Sequence, residues 1–240
     1  MHLTQCHNRW SVMIKTMLRD LIRDTPVLYR IYIKKRLGRE LRLPRRDTTL
    51  VLEGYPRSGN TFARYHLEAV FPSLRFSSHV HTLAALKRAR KLGIYTVILI
   101  RDPREAVASF CCKYAIDQHD RVGIAGAVKD YLHFYRYVQK YSNDFDIVCF
   151  DGLIASPIDF LEHVGGRLRE SVKREYLACM SAKAKAKMLA REPQKDARGS
   201  SLPSAERAIS KQILYSSIEQ SSDYSEVEEL YQTLMREMTP

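Results

Sequence analysis

Three short apolar runs constrain the fold of this 240-residue chain more than any other feature of its sequence. They are TLVLEG at 49–54, YTVILI at 95–100 and DIVCF at 146–150. Each run lacks strict polar alternation, which is the pattern of strands buried on both faces. Helical patterns separate the runs, so the sequence predicts an α/β domain with a central, mostly parallel sheet flanked by helices.

The helical patterns are defined by apolar spacing and by the residues at their ends. We predict helices over 61–71, 103–115, 122–141 and 157–164. Asp102 is a natural N-cap for the second, with Pro103 at the first helical position, and Gly165-Gly166 is expected to end the fourth. The last third of the chain is also predicted as mostly helical, with an irregular stretch at 191–204.

Residues 1–47 are predicted as a basic helical N-terminal extension, and residues 48–240 as the main domain with a helical C-terminal part. The extension has an apolar stripe at helical spacing, interleaved with cations and broken near Pro26. Such a stripe suits packing on the chain's own domain or contact with a membrane surface. No apolar run reaches a membrane span or a signal-peptide core, so we expect a cytoplasmic protein, peripheral to a membrane if the extension binds one.

The charge balance favours acidic partners. Lys and Arg total 39 against 27 Asp and Glu, a net charge of +12, which suits phosphate or sulfate groups, nucleic acid or an anionic membrane. The 5 cysteines form no CxxC pair, and their odd number argues against a fully paired disulfide framework. No His/Cys cluster or Asp pair suggests a metal site, so we expect no metal.

The segment EGYPRSGNT, residues 53–61, lies between the first predicted strand and the first predicted helix. Amide groups at a helix start are unpaired, and the helix dipole adds positive potential there. Gly59 allows an anion to approach the backbone, and Arg57 adds a permanent charge. Ser58, Asn60 and Thr61 can donate further hydrogen bonds. The segment is therefore interpreted either as an anion-binding loop or as a simple strand-to-helix turn.

A second segment, RDPREAVAS at 101–109, has the same character. Arg101 ends a buried strand, and Ser109 follows two helical turns later. A strand-end arginine needs a partner, which could be a bound anion or Glu105. Because the carboxyl ends of parallel strands lie at one edge of a sheet, we expect the two segments to be neighbours.

Together these segments resemble the sulfotransferases that use 3′-phosphoadenosine 5′-phosphosulfate (PAPS). YPRSGNTF resembles their 5′-phosphosulfate loop, and RDPREAVAS is similar to their 3′-phosphate motif. SSHVH, residues 77–81, resembles the segment with the catalytic base, and DIVCFDGLIASPIDFLEHVGG resembles a strand and helix that follow. ARG at 197–199 is similar to the loop that closes over the nucleotide. The resemblance covers about residues 48–215.

The resemblance implies a P-loop-like, three-layer α/β fold and PAPS as co-substrate. His79 would be the catalytic base, with His81 as a competing candidate. Arg57 stands where the family usually has Lys, Ser77 where Lys is common and Asp102 where Asn is frequent. The nucleotide would be held by Arg57, Ser58, Gly59, Asn60, Thr61 and Phe62 at its 5′ side and adenine, and by Arg101, Ser109, Arg198 and Gly199 at the 3′-phosphate.

These observations predict transfer of a sulfuryl group to an acceptor hydroxyl. Arg57 would stabilise the leaving phosphate, and His79 would accept the proton. A carbohydrate or polysaccharide is the expected acceptor, because cations are frequent from His79 to Arg90; a small alcohol, phenol or lipid is the alternative. Two other classes stay open. One is a kinase that uses Asp102 or Asp151 to bind Mg²⁺, and the other is a basic nucleic-acid or membrane-binding module. We expect no nucleic-acid partner, and the oligomeric state is left open.

Overall fold

A computed structural model of the chain describes residues 17–37, 43–170, 172–191 and 204–238. Four strands form one sheet in the order β2-β1-β3-β4, and every neighbouring pair is parallel. The strands are β1 (Leu50–Gly54), β2 (Phe76–Ser78), β3 (Tyr95–Ile100) and β4 (Asp146–Cys149). The predicted α/β class and the three predicted strands are confirmed. The edge strand β2 was not predicted, because three residues of sequence FSS form no apolar run.

Helices precede, connect and follow the strands. The N-terminal helices are α1 at 17–24 and α2 at Pro26–Leu37, and a break at Thr25 separates them as predicted. The others are α3 (Asn60–Val70), α4 (Leu83–Leu92), α5 (Pro103–Tyr114), α6 (Arg121–Lys140), α7 (Phe150–Ala155), α8 (Pro157–Arg167), α9 (Arg174–Arg191), α10 (Ala205–Glu219) and α11 (Tyr224–Glu237).

The sheet is covered by helices on both faces. Ile98 and Ile100 of β3 are buried in a cluster formed with α5, α6, α10 and α11. Val97 and Leu99 alternate with them and are buried in a second cluster formed with α3, α8 and α9. Since successive side chains of a strand point to opposite faces, this alternation places β3 at the centre of a three-layer domain.

Two helix predictions need correction. Helix α8 does not end at Gly165-Gly166 but continues to Arg167. Gly165 is buried, and a Cβ there would lie 3.1 Å from the Glu170 carbonyl oxygen, so this glycine leaves room for the chain that turns back after the helix. Helix α4 was not predicted, because its buried face is largely alanine and four of the ten residues of its sequence, LAALKRARKL, are cations.

The N-terminal helix α1 contacts the main domain through charged side chains. Arg23 donates from Nη1 to Asp130 Oδ2 at 2.9 Å, and the ring of His133 is 2.9 Å from Asp24 Oδ2. Three apolar side chains of α1 are exposed instead, those of Met17 at 64%, Leu18 at 55% and Leu21 at 54%. Within the described ranges, no helix has the length and apolar character needed to cross a membrane.

Three buried tyrosines fix α6 to the carboxyl edge of the sheet. The Tyr135 hydroxyl donates to the Leu99 carbonyl at 2.7 Å and accepts from the Tyr55 amide at 3.2 Å. One turn earlier, the Tyr131 hydroxyl donates to the Arg101 carbonyl at 2.7 Å. The Tyr55 hydroxyl donates back to a carbonyl of α6 at 3.2 Å. The loop after β1 and the end of β3 are thereby bound to one helix.

Replacing Tyr135 by Phe should lower the free energy of unfolding by about 1–3 kcal/mol, because the Leu99 carbonyl and the Tyr55 amide lose a buried partner. Tyr141→Phe is the control, since its half-buried hydroxyl makes no hydrogen bond within the described residues. It should change stability by less than about 0.5 kcal/mol. Urea unfolding of both variants measures the difference, and equal losses would contradict the importance of the Tyr135 hydroxyl.

Candidate functional site

The loop between β1 and α3 requires glycine at position 59. Gly59 has φ 96°, in the left-handed region that favours glycine. A Cβ at this position would also lie 2.7 Å from Cδ2 of Phe150. Helix α3 begins at the next residue, so its first amides lie at the carboxyl edge of the sheet. This is the geometry of a helix start that can receive an anion.

The two segments that the sequence singled out are in direct contact. Arg57 donates from Nε to Ser109 Oγ at 3.0 Å, and Arg101 donates from Nη1 to the Arg57 carbonyl at 3.0 Å. Arg57 is held at φ 75°, a conformation that costs a non-glycine residue about 1–3 kcal/mol. The two segments are therefore neighbours, as the parallel sheet led us to expect, and they are joined by hydrogen bonds.

Glu105 is an ionic partner of Arg101. It is one of the two partners that the sequence left open, the other being a bound anion. Arg101 donates from Nη2 to Glu105 Oε2 at 3.0 Å. The same carboxylate accepts from Lys211 Nζ at 2.5 Å and from the Tyr215 hydroxyl, both on α10. Burial acts to raise the pKa of Glu105, but the bonds from Lys211 and Tyr215 and the charge of Arg101 leave it lowered. Sequence reasoning missed Lys211 and Tyr215, because only the fold brings α10 beside α5.

The side chains of Ser58 and Asn60 lie beneath the loop. Ser58 is fully buried, with its hydroxyl 3.4 Å from the Tyr135 hydroxyl. Asn60 is 3% exposed and donates to the Tyr55 carbonyl at 3.5 Å, while its Oδ1 has no partner among the described residues. In this arrangement both side chains support the loop from inside the protein.

Phe62 lies at the start of α3, on the side of the helix that faces α9. Its ring centroid is 4.1 Å from that of His66, and it packs against the small cluster of Tyr65, Ala184 and Met188. His66 is 1% exposed and its Nδ1 is 2.9 Å from the Phe62 carbonyl, so it is a packed residue. Arg198 and Gly199 lie outside the described residues.

His79 is brought to the start of α3. Its Nε2 is 3.2 Å from Thr61 Oγ1, and its Nδ1 is 3.0 Å from Ser78 Oγ. His81 is bound differently, since its Nδ1 is 2.8 Å from the Gly54 carbonyl and therefore donates to it. Both histidines have positive φ, 63° at His79 and 53° at His81. The strained turn 79–81 follows the end of β2, and Arg57, which also has positive φ, lies in the loop after β1.

A buried carboxylate that the sequence did not single out holds this turn. Glu53 is the fourth residue of β1 and is fully buried. Its Oε1 accepts from the Val80 amide and its Oε2 from the His81 amide, each at 2.9 Å. The nearest His81 ring nitrogen is 3.7 Å from Oε2. The signal that could have identified it is a lone Glu in an otherwise apolar strand, since a buried carboxylate needs partners.

The pKa values of Glu53 and His81 are shifted in opposite directions from their ordinary values. Burial raises the pKa of Glu53 to about 8, although the Val80 and His81 amides oppose the rise. Burial lowers the pKa of His81 to about 4, although its bond to the Gly54 carbonyl opposes the fall. His81 is therefore neutral at pH 7, with its proton on Nδ1.

A small cavity of about 20 Å³, with room for about one water molecule, lies beside His81 between α1, α6 and the turn after β2. Its lining is mostly charged or polar, and Thr82, whose Oγ1 has no partner in the described part of the chain, is 6% exposed. The lining residues include Asp20, Arg23, Asp24, His81, Thr82, Asp130 and His133. Across the described ranges, no group of three or more His, Cys, Asp or Glu side chains is arranged to hold a metal ion.

A comparison with known protein families found no match, and a comparison with curated protein sequences found none either. Among solved structures, the chain is similar to a mouse sulfotransferase, SULT7A1, in complex with PAP. The two are 10% identical, and the match covers 81% of this chain and 90% of the mouse chain with a TM-score of 0.49. A likeness at this level does not identify a family, so a functional proposal has to rest on the geometry at the sheet edge.

Glu53 should make the free energy of unfolding depend on pH between about 4.5 and 8, and above pH 6.5 this dependence is no longer offset by His81. With a folded-state pKa of about 8, against about 4.5 when unfolded, the folded state retains a proton that the unfolded state releases. Stability should fall as pH rises toward 8, by up to about 1.4 kcal/mol per pH unit. His81 has the opposite effect, but only between about pH 4 and 6.5.

Chemical unfolding of the wild type and of Glu53→Gln at several pH values between 6.5 and 8.5 tests this. The difference in unfolding free energy between them should change with pH, because the Gln variant lacks the titrating group. A constant difference across this range would contradict a raised pKa at Glu53.

Proposed function

We propose that this protein is a sulfotransferase that moves a sulfuryl group from PAPS to an acceptor hydroxyl. The observation that carries the proposal is the contact between its two anion-suited segments, 3.0 Å from Arg57 Nε to Ser109 Oγ. PAPS has one anionic group at its 5′ end and another at its 3′ position. A site with cations and hydroxyls from two strand ends is suited to such a ligand.

The charge at this edge supports an anionic ligand. Arg101 and Lys211 both donate to one carboxylate, that of Glu105, and Arg101 also donates to the backbone carbonyl of Arg57. The side chains of Arg101 and Lys211 are each only 18% exposed. A partly buried excess of positive charge is costly without a counter-ion, and a bound phosphate supplies one.

The nucleotide would be held from both segments. The 5′-phosphate would lie at the start of α3, over the amides near Gly59, Asn60 and Thr61, with Ser58 supporting the loop from beneath. Arg101 and Ser109 would bind the 3′-phosphate, together with Arg198 and Gly199. Phe62 would contact the adenine, while Arg57 would meet the charge that develops on the bridging oxygen as the nucleotide leaves.

His79 is proposed as the base that accepts the proton of the acceptor hydroxyl. Support comes from the 3.2 Å separation of its Nε2 from Thr61 at the start of α3. His81 suits the role less, because a pKa of about 4 makes it a weak base at neutral pH. Its Nδ1 proton is also bound to the Gly54 carbonyl.

The proposed step is an in-line displacement at sulfur. A bond forms between the acceptor oxygen and sulfur as the bond from sulfur to the bridging phosphate oxygen breaks. The proton of the hydroxyl goes to His79, and the electron pair of the broken bond stays on the departing phosphate. The products are a sulfate ester and adenosine 3′,5′-bisphosphate. Catalysis would come from alignment and charge stabilisation, as in phosphoryl transfer.

A carbohydrate or polysaccharide is the proposed acceptor, with a small alcohol, phenol or lipid as the alternative. The cavity beside His81 has room for only about one water molecule, so it does not favour either class of acceptor. The cations of α4 support an acidic acceptor less, since Arg88 donates to the Pro44 carbonyl and Arg90 pairs with Asp144. An acceptor-library assay read by the mass gained on sulfation separates the two classes.

A kinase or a basic binding module is less well supported. Asp102, a carboxylate proposed for Mg²⁺, accepts the Glu105 amide at 2.9 Å and so caps α5. A kinase would lose activity when magnesium is removed, whereas transfer from PAPS by this site should continue. A nucleic-acid or membrane module would bind its partner with steep salt dependence and without consuming PAPS.

Adenosine 3′,5′-bisphosphate should stabilise the protein against heat, since it binds the folded state alone, by about 2.7 kcal/mol at a hundred times its Kd. Adenosine 5′-phosphate should stabilise it less. Ser109→Ala should reduce this difference, and Ser210→Ala on α10 is the control that should not. Equal shifts with both nucleotides in the wild type would contradict the 3′-phosphate role of Arg101 and Ser109.

Removing the His79 ring should lower kcat by about 10²–10⁴-fold, the usual contribution of a general base. His79→Ala should still bind adenosine 3′,5′-bisphosphate, because the ring is not assigned to the nucleotide. The checks are steady-state kinetics with PAPS and calorimetric titration with the bisphosphate. Full activity in His79→Ala would exclude the ring as the base.

A further inference from the structure

We infer that Glu53 and His81 form a buried positioning pair that holds His79 against the start of α3. This inference rests on the proposed function, in which His79 accepts the acceptor proton. Neither residue is assigned to the nucleotide or to the transferring group. Their role would be carried through the backbone of the turn 79–81 rather than through contact with substrate.

The first support is the connection from Glu53 to the turn. The two carboxylate oxygens of Glu53 accept the consecutive amides of Val80 and His81, both at 2.9 Å. These amides belong to the two residues immediately after His79. A carboxylate on the central part of the sheet therefore fixes the position of the main chain from which the His79 ring projects.

The second support is the strain of that main chain. His79 and His81 both have positive φ, which non-glycine residues adopt only where the surroundings compensate for the cost. Glu53 accepts two hydrogen bonds from the turn, and the His81 ring supplies a further bond, 2.8 Å long, to the Gly54 carbonyl. Both anchors are on β1, the strand that leads into the anion loop.

The third support is the short distance between the His79 ring and the start of α3. Thr61 belongs to the helix that follows the anion loop, and His79 belongs to the turn after β2, yet Nε2 and Oγ1 are 3.2 Å apart. Since Gly54 and Glu53 anchor the turn to the strand that leads into that loop, the base and the anion site share one support. A shift of about 1 Å in such a group can cost 10²-fold in rate.

The role of Glu53 is tested with Glu53→Gln, which keeps the size of the side chain but offers only one acceptor oxygen to the two amides. We expect kcat to fall by about 10²-fold while the affinity for adenosine 3′,5′-bisphosphate changes by less than about twofold. Leu52→Ala is the control, because it removes a buried side chain from the residue of β1 next to Glu53 without changing the bonds to the turn. It should lower stability and leave the kcat of the folded protein unchanged. A kcat for Glu53→Gln within about twofold of the wild type would overturn the inference.

The role of His81 is tested with a conservative and a disruptive replacement. Asn tolerates positive φ and can donate from its side-chain amide to the Gly54 carbonyl, so His81→Asn should keep kcat within about fivefold. Leu has no donor and does not tolerate this conformation, so His81→Leu should lose turnover as Glu53→Gln does. Equal loss in His81→Asn and His81→Leu would show that the imidazole itself is needed, which contradicts a positioning role.

A measurement without PAPS separates this inference from the proposed function. The imidazole nitrogen and carbon resonances of His79, assigned with a His79→Gln variant, should shift in Glu53→Gln and stay in place in Leu52→Ala. Unchanged His79 resonances in Glu53→Gln would overturn the positioning role even if turnover falls. Absence of transfer from PAPS in the wild type would instead remove the proposed function and leave this structural result standing.

Discussion

The hydroxyl of Tyr135 is the interaction on which the arrangement of the candidate site depends. It joins the carbonyl of Leu99, near the end of β3, to the amide of Tyr55, in the loop after β1, and it lies beside the hydroxyl of Ser58. A single side chain from α6 thus fixes two strand ends relative to each other. Together with the direct pairing of β1 and β3, this contact sets the distance between the two anion-suited segments before any ligand binds.

The loops around this edge have unfavourable backbone conformations that the surrounding structure compensates. Arg57, His79 and His81 account for three of the five non-glycine residues with positive φ in the described part of the chain. Each is held by a neighbour, Arg57 through its carbonyl by Arg101 and the histidine turn by Glu53. Strain of this kind is concentrated where a protein needs a fixed arrangement of groups, which is the condition that an enzyme site has to meet.

Much of the fold could be predicted from sequence, because buried parallel strands and N-cap residues act locally. The runs at 49–54, 95–100 and 146–150 and the cap at Asp102 needed only neighbouring residues to be recognised. Edge strand β2 could not be predicted, since its pairing with β1 and not its own composition makes it a strand. The same holds for Lys211, which joins Glu105 from α10 across a long stretch of chain.

The candidate site was predicted in part for the same reason. Motif spacing placed Arg57 and Ser109 at one sheet edge, and the contact between them is present. The direction of Ser58, toward the Tyr135 hydroxyl beneath the loop, could not be predicted, because it depends on a residue of α6 that lies far away in the sequence. Glu53 was overlooked for a related reason: its partners are amides, which leave no mark in a sequence.

Phe150, the first residue of α7, touches both anion-suited segments. Its ring lies against Gly59 so closely that no Cβ fits between them, and the guanidinium of Arg101 stacks on it at 4.3 Å from the ring centre. A ligand that moves either the glycine loop or the arginine must therefore also move this ring. The position of the glycine loop is thus linked to that of the Arg101 guanidinium through one aromatic ring.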